Sequence, residues 1–179
     1  NNFINSANFE NLNFLFELSK YMKLDSKILL KTINDFKPLK FRKEVVYNSK
    51  YLKIINDSKS TTLSSTTPFL ETNEKIFWIL GGLFKKGDKF NLNKKYYKNL
   101  EAYIYGKDRY IFFKLFKNKF KVNLSKDLKN TLKLIPKLKN VRSKVVVLFS
   151  PSAASFDQYK NFEDRGRQFN MLIKRYLPI

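Results

Sequence analysis

The sequence predicts an α/β protein: a mostly parallel sheet of about six strands with helices on both faces, preceded by a helical pair. Three observations lead there. Ile76-Phe77-Trp78-Ile79-Leu80 is an unbroken apolar run ending in Gly81-Gly82, the pattern of a strand buried on both faces of a parallel sheet. From that run to the C-terminus, strand-like and helix-like periodicities alternate, which implies right-handed βαβ units and a sheet covered on both sides. Finally, three strand-like runs each end in a small-polar or glycine-rich loop, 56–62, 81–87 and 150–156. In an open α/β sheet such loops gather at the carboxyl edge, where ligands bind.

The elements follow in order. Phe9, Leu12, Leu15, Phe16 and Leu18 have near-helical spacing over 8–22, and Ile28, Leu29, Ile33 and Phe36 repeat it over 26–36, with Asp25 or Ser26 available as a cap. Pro38 closes this pair and marks a domain boundary, because the pattern changes to period two beyond it. The expected division is therefore 1–38 and 39–179. A strand pair is expected at 44–47 and 52–56, joined through Asn48-Ser49-Lys50, then a helix over 61–71. After the apolar strand come a strand at 101–105, a helix at 109–116, a short strand at 120–123 and a helix at 126–135 that Ser125 could cap. The strand at 144–149 carries three consecutive valines, and a long final helix is expected from Asp157 to residue 176. This arrangement is Rossmann-like.

Composition narrows the chemistry. The 179 residues, 43% of them hydrophobic and 16% aromatic, can supply a proper core. Cysteine and histidine are both absent, which excludes disulfides, thiolate or imidazole metal sites and nucleophile schemes that use a histidine base. No apolar run approaches the roughly 18 to 20 residues of a membrane span, and the opening lacks a signal-peptide layout; the expectation is a cytoplasmic protein. The chain opens on Asn1 and runs directly into a helical pattern, so it is expected to be a piece of something longer. The formal charge of +21 invites a nucleic-acid reading. Its distribution argues against one: 30 of the 36 basic residues are lysines spread along the chain, with no basic tail. Lys, Asn, Ile, Phe and Tyr are over-used together, as an AT-biased genome would produce, although such a field still attracts anions.

Each loop has chemistry and a plainer explanation. Asp57 and Lys59 project a carboxylate and an ammonium from a turn followed by hydroxyls, yet Asn-Asp-Ser is also a common turn sequence. Gly81-Gly82 can simply let the chain leave the sheet, while Lys85 and Lys86 add cations beside it. Pro151 stops a strand, and Ser152, Ala153, Ala154 and Ser155 are small enough for a ligand to approach the backbone. Together the three suit a small molecule rich in carboxylate and phosphate.

The runs Ile55-Asn56-Asp57-Ser58-Lys59-Ser60-Thr61, Leu80-Gly81-Gly82 and the stretch from Phe149-Ser150-Pro151 through Phe162-Glu163-Asp164-Arg165-Gly166 resemble the C-terminal domain of the D-glutamate-adding Mur ligases, over roughly residue 39 to the end. Residues 8–36 resemble the tail of that family's central ATPase domain. The family's His-Asn-x-x-Asn motif stands here as Ala7-Asn8-Phe9-Glu10-Asn11, and its Pro-His-Arg turn as Lys40-Phe41-Arg42. The histidine and the Pro-His pair are missing.

The resemblance implies ATP contacts at Asn8, Asn11, Arg42 and Asp57. It implies D-glutamate contacts at Thr61, Ser155, Phe156 and Phe162, with Lys59 and a glycine-loop lysine. That loop is one residue longer than the family pattern, so Lys85 and Lys86 are both candidates. A lysine with hydroxyls and amides gives a dicarboxylate charge-assisted hydrogen bonds. The implied activity is ATP-dependent, ADP-forming ligation of D-glutamate to UDP-N-acetylmuramoyl-L-alanine in peptidoglycan precursor synthesis. ATP and Mg2+ would be bound mainly by the absent central domain, with no metal site, no nucleic acid, no membrane and a monomeric state expected here. The sequence has no Gly-x-x-x-x-Gly-Lys-[Ser/Thr] phosphate loop. Two rivals are a basic nucleic-acid-binding domain, marked by steep salt-dependent oligonucleotide binding, and a stand-alone amino-acid-binding module derived from the ligase.

Overall fold

The computed structural model describes residues 9–36, 39–136, 138 and 143–177. The chain divides into two compact units, Asn1–Leu39 and Lys40–Ile179.

The first unit holds α1 (Phe9–Tyr21) and α2 (Ser26–Asp35). Lys23, at φ 54°, ends the first helix in a left-handed turn: its amide and that of Leu24 return to the carbonyls of Lys20 and Ser19 at 3.0 and 2.9 Å. Asp25 then caps α2 by accepting from the Lys27 amide at 2.7 Å. Leu12, Ser19 and Ile33 are buried, whereas Phe14, Tyr21, Leu24 and Ile28 are exposed.

The second unit is a six-stranded sheet. In chain order its elements are β1 (Glu44–Asn48), β2 (Leu52–Asn56), α3 (Leu63–Leu70), β3 (Lys75–Gly81), β4 (Leu100–Tyr105), α4 (Arg109–Phe116), β5 (Lys121–Leu124), α5 (Leu128–Leu134), β6 (Val145–Phe149) and α6 (Phe162–Tyr176). The spatial order is β1-β2-β6-β3-β4-β5. Only the β1–β2 pair is antiparallel. The last strand made is thus inserted between the second and third, and the loops leaving β2, β6 and β3 lie side by side at one edge.

Alternation of side chains sorts the strands into two cores. Ile54, Phe77, Ile79, Val147 and Phe149 face α5 and α6 through Leu128, Leu132, Phe169 and Ile173. Ile55, Trp78, Leu80, Val146 and Leu148 face α3 and α4 through Leu63, Leu70, Phe112 and Phe116. At about 25 cal/mol per Å2 of apolar surface, burying this many large side chains on both faces is the main force holding the unit.

Three sequence expectations are corrected. No α-helix lies between β3 and β4; that crossover is a loop ending in a 3-10 helix, Lys94–Asn99. Aromatic packing does a helix's work there, with Phe90 stacked on Trp78 at 5.9 Å and edge-on to Phe116 at 4.9 Å. The final helix begins at Phe162 because Asn161, not Asp157, caps it, accepting from the Asp164 amide at 2.8 Å. Asp157 instead accepts from the Lys107 amide at 2.9 Å, tying this segment to the turn after β4. Likewise α5 is capped by Asp127, which accepts from the Asn130 amide at 2.8 Å, and not by Ser125. The loop after β6 is largely enclosed, with Ser150, Ser152 and Ala153 fully buried and Ser155 nearly so, while Phe156 at its far end is exposed.

Candidate functional site

The turn after β2 is built first by its own side chains. Asn56 is fully buried; its amide nitrogen donates to the Gly166 carbonyl at 2.9 Å and to Asn170 Oδ1 at 2.7 Å, and its oxygen accepts from the Ser58 amide at 3.1 Å. The first half of α6 and its middle are thereby fastened to the end of β2. Asp57 follows, with one carboxylate oxygen accepting from the Lys43 amide at 3.1 Å and the other from the Ser150 hydroxyl at 2.9 Å. Burial is the largest influence on this carboxyl and pushes it above the ordinary aspartate value. The Ser150 hydroxyl, the Lys43 amide and the charges of Lys43 and Arg42 offset only part of that.

The Lys40-Phe41-Arg42 turn is held from several directions. Phe41 and Lys43 both adopt positive φ, 60° and 54°. The Phe41 amide donates to Glu44 at 2.9 Å, and its carbonyl accepts from the Lys59 amide at 3.0 Å. The Phe41 ring is buried against Gly166: a Cβ at that glycine would lie 2.4 and 2.5 Å from ring carbons. The turn leaves Arg42 exposed and close enough to act on Asp57. Two of the expected nucleotide contacts, Arg42 and Asp57, therefore share one corner. Asn11 is exposed on α1, and Asn8 lies outside the described residues.

Hydroxyls join the loops after β2 and β6. Thr66 on α3 is fully buried and meets Ser60, Ser150 and Ser152 at 2.8, 2.7 and 2.6 Å. Ser150 continues the chain to Asp57. The loop after β3 joins through backbone bonds: the Gly81 amide donates to the Pro151 carbonyl at 2.9 Å, and Leu83 and Ala154 exchange bonds at 2.9 and 3.0 Å. A Cβ at Gly82, φ 132°, would stand 2.3 Å from the Ala154 carbonyl oxygen, so only glycine allows that approach.

Arg165 is the other tie. Fully buried, it donates from Nε to the Ser58 hydroxyl at 3.1 Å, from one terminal nitrogen to the Ser58 carbonyl at 2.7 Å, and from the other to the Ala153 carbonyl at 2.9 Å. Burial draws its guanidinium below the ordinary arginine value, with the Tyr105, Tyr159 and Asp157 groups opposing. Neighbouring Tyr105 is pushed up to about 12, burial again leading.

The expected amino-acid contacts divide between two neighbourhoods. Lys59 is exposed, with its ammonium 3.9 Å from the centre of the Phe162 ring, so these two stand together. Thr61 is exposed one residue beyond buried Ser60. Ser155 is buried and Phe156 is 71% exposed at the far end of the β6 loop. Lys85 and Lys86 are exposed and line an open groove of about 340 Å3 with Thr62, Ser64, Gly87, Asp88, Lys89 and Asn91. Two of the first amides of α3 are already engaged within the chain. Asp88 accepts from the Leu63 amide, and the Thr62 hydroxyl accepts from Ser65 at 3.2 Å. With Asp88 so engaged, the groove's exposed charge is that of Lys85, Lys86 and Lys89.

Thr66, Asp88 and Arg165 were missed as organisers of the site. Arg165 left a trace in the sequence: it lies four and eight residues before Phe169 and Ile173, on the apolar stripe of α6 where a charge needs a reason. Asp88 and Thr66 left none, because the partners that tie them to other segments lie 25 residues away for Asp88 and 84 and 86 for Thr66, whose further partner Ser60 is local.

The fold and edge define an α/β domain whose three strand-end loops gather lysines and hydroxyls at one edge, beside the Arg42 turn. No protein-family model matches the chain. It is 38% identical over 172 residues to a UDP-N-acetylmuramoylalanine–D-glutamate ligase of Buchnera aphidicola subsp. Schizaphis graminum, covering 93% of this chain and 38% of that protein. A ligase of the same name from Wolbachia pipientis wMel is 32% identical over 164 residues, covering 91% of this chain and 32% of that protein. Among solved structures, the UDP-N-acetylmuramate–alanine ligase of Thermotoga maritima has the same fold, with a TM-score of 0.61 at 18% identity over 94% of this chain and 38% of that one. The chain belongs to the Mur ligase family. It spans 32% and 38% of the length of the two curated relatives named.

Proposed function

We propose that this chain is the amino-acid-positioning part of an ATP-dependent, ADP-forming ligase that joins D-glutamate to UDP-N-acetylmuramoyl-L-alanine in peptidoglycan precursor synthesis. Residues 1–38 are then the end of the central ATPase domain, and 39–179 the domain that receives the amino acid. The observation that carries the reading is the convergence of the loops after β2, β6 and β3, the first two bound together through Asp57, Ser150, Thr66 and Arg165 and the third joined to the β6 loop by backbone bonds, while Lys59, Lys85 and Lys86 remain exposed. The names of the relatives supply the substrate, and the lysines supply the charge a dicarboxylate requires.

In this scheme the substrate carboxylate takes the γ-phosphoryl group of ATP to give an acyl phosphate and ADP. The D-glutamate amine then attacks the acyl carbon, phosphate leaves, and the amine proton passes to solvent. The chain contributes geometry: Lys59, Thr61, Ser155, Phe156, Phe162 and Lys85 or Lys86 hold D-glutamate so that its amine faces the acyl carbon, and Arg42 and Asn11, with Asn8, meet the nucleotide. Asp57 acts there through the Arg42 turn that it holds. Among the described residues no cluster of carboxylates could hold a metal ion, and no step here is assigned to one.

Isotope-edited NMR on the 179-residue chain tests the reading. D-Glutamate is expected to shift the resonances of Lys59, Thr61, Ser155 and the 85–89 loop more than L-glutamate or D-alanine does, without ADP release from ATP. Equal response to all three amino acids, or D-glutamate-dependent ADP release from these residues alone, would overturn it. No helix among the described residues is long and apolar enough to cross a membrane.

A further inference from the structure

Every loop residue placed at the amino acid, apart from the glycine-loop lysines, sits on one of two segments that meet at a single buried side chain. Ser58 precedes Lys59 and Thr61; Ala153 precedes Ser155 and Phe156. The guanidinium of Arg165 bonds both segments at once, with two bonds to Ser58 and one to Ala153. Phe162, whose ring lies under the Lys59 ammonium, is three residues away on the same helix, so the arginine also fixes the platform on which that lysine rests. Ser58 reinforces this by donating from its hydroxyl to the Phe162 carbonyl at 2.8 Å.

The electrostatics point the same way. A buried guanidinium is ordinarily balanced by a carboxylate, yet among the described residues Arg165 is in no ion pair. Its hydrogens go to two carbonyls and a hydroxyl. The groups acting on it are Tyr105, Tyr159 and Asp157, and the Asp157 carboxylate offsets part of its charge from a distance without bonding to it. A charge that no carboxylate bonds directly, held in a low-dielectric interior, is less screened than that of an exposed lysine in water.

We propose that Arg165 is a positioning residue for the substrate amino acid: it sets the separation between the Lys59–Thr61 and Ser155–Phe156 segments, and its buried charge favours a dianionic ligand above them. The proposal rests on the D-glutamate reading. It assigns to a side chain out of reach of the ligand a share of both affinity and selectivity. Lysine cannot replace it fully, because a single ammonium lacks the planar fork that reaches Ser58 and Ala153 together.

Calorimetric titration of the 179-residue chain with D-glutamate, L-glutamate and D-glutamine tests it. Arg165→Gln should weaken D-glutamate binding about tenfold or more, and should shrink both the D-over-L preference and the preference for D-glutamate over D-glutamine. Arg165→Lys should recover the glutamate-over-glutamine preference, which depends on charge, but not the D-over-L preference, which depends on spacing. Ser58→Ala removes the acceptor of Nε and one bond to Phe162; about threefold weaker binding is expected, with the protein still folded but melting several degrees lower. Should Arg165→Gln fail to fold, the lysine and Ser58 variants decide. Folded Arg165→Lys and Ser58→Ala proteins that match the parent in affinity and both preferences overturn the proposal while leaving the D-glutamate reading intact. A parent chain that binds no D-glutamate overturns both.

Discussion

Replacing Thr66 by valine isolates the hydroxyl chain that joins the loops, because the two side chains have nearly the same shape. A threonine hydroxyl offers one hydrogen and two lone pairs, and Ser60, Ser150 and Ser152, at 2.8, 2.7 and 2.6 Å, match that capacity. Each lost bond between neutral groups is worth about 1 kcal/mol net. The full penalty for stranded hydroxyls does not apply, since every serine keeps a second partner: Ser65 for Ser60 at 2.8 Å, Asp57 for Ser150 at 2.9 Å, and the Ser150 carbonyl for Ser152 at 3.3 Å. The expected loss is therefore about 2 to 3 kcal/mol, or roughly 8 to 12 °C in melting temperature for a unit of this size. Differential scanning calorimetry measures it, with Thr66→Ser as the control that keeps the hydroxyl and loses one methyl, worth about 1 kcal/mol. A valine variant that melts within about 2 °C of the parent, or above the serine control, would show that the network contributes no net stability.

Two further outcomes follow from the same corner. Gly166→Ala drives a methyl into the Phe41 ring; urea unfolding should show a loss of about 1 to 3 kcal/mol, shrinking to under about 0.5 kcal/mol when Phe41→Ala is already present, and an undiminished cost in that background would contradict the contact. For Asp57→Asn the sign follows from the raised carboxyl. Its contribution to stability is greatest below the unfolded value of 3.8 and is lost as pH rises through the folded one, so the asparagine variant should gain on the parent between pH 3 and pH 7. A thermal-melt series in which the variant instead falls further behind as pH rises would reverse that assignment.

Much of the fold was legible because its strands announce themselves: Ile76 to Leu80 and the valine run from 145 are buried throughout, and long apolar runs between glycine, proline and serine leave few alternatives. Boundaries failed where two residues of the same type competed. Asp157 and Asn161 are both good caps, and the choice was made by the Lys107 amide, 50 residues away, which claims the aspartate. The division of labour inside the site was hidden for the same reason. Asp57 reads as a ligand-facing carboxylate, but both its oxygens are engaged by Lys43 and Ser150. The glycine-rich turn reads as an anion cradle, but Asp88 folds back to occupy the helix amide beside it. What periodicity cannot convey is which polar groups are spent on one another, since that depends on pairings across tens of residues.

The place of β6 between β2 and β3 has a consequence for biogenesis. Until Val145–Phe149 has left the ribosome, the nascent polypeptide holds two half-sheets whose facing strands have nothing to pair with, and their apolar surfaces stay wet. Closing the gap requires contacts spanning about ninety residues, the kind of non-local step that slows folding and exposes intermediates to self-association. Chains halted or clipped before residue 145 should accumulate as insoluble material, and ligand competence should switch on abruptly once the terminal hairpin of strand and helix has docked.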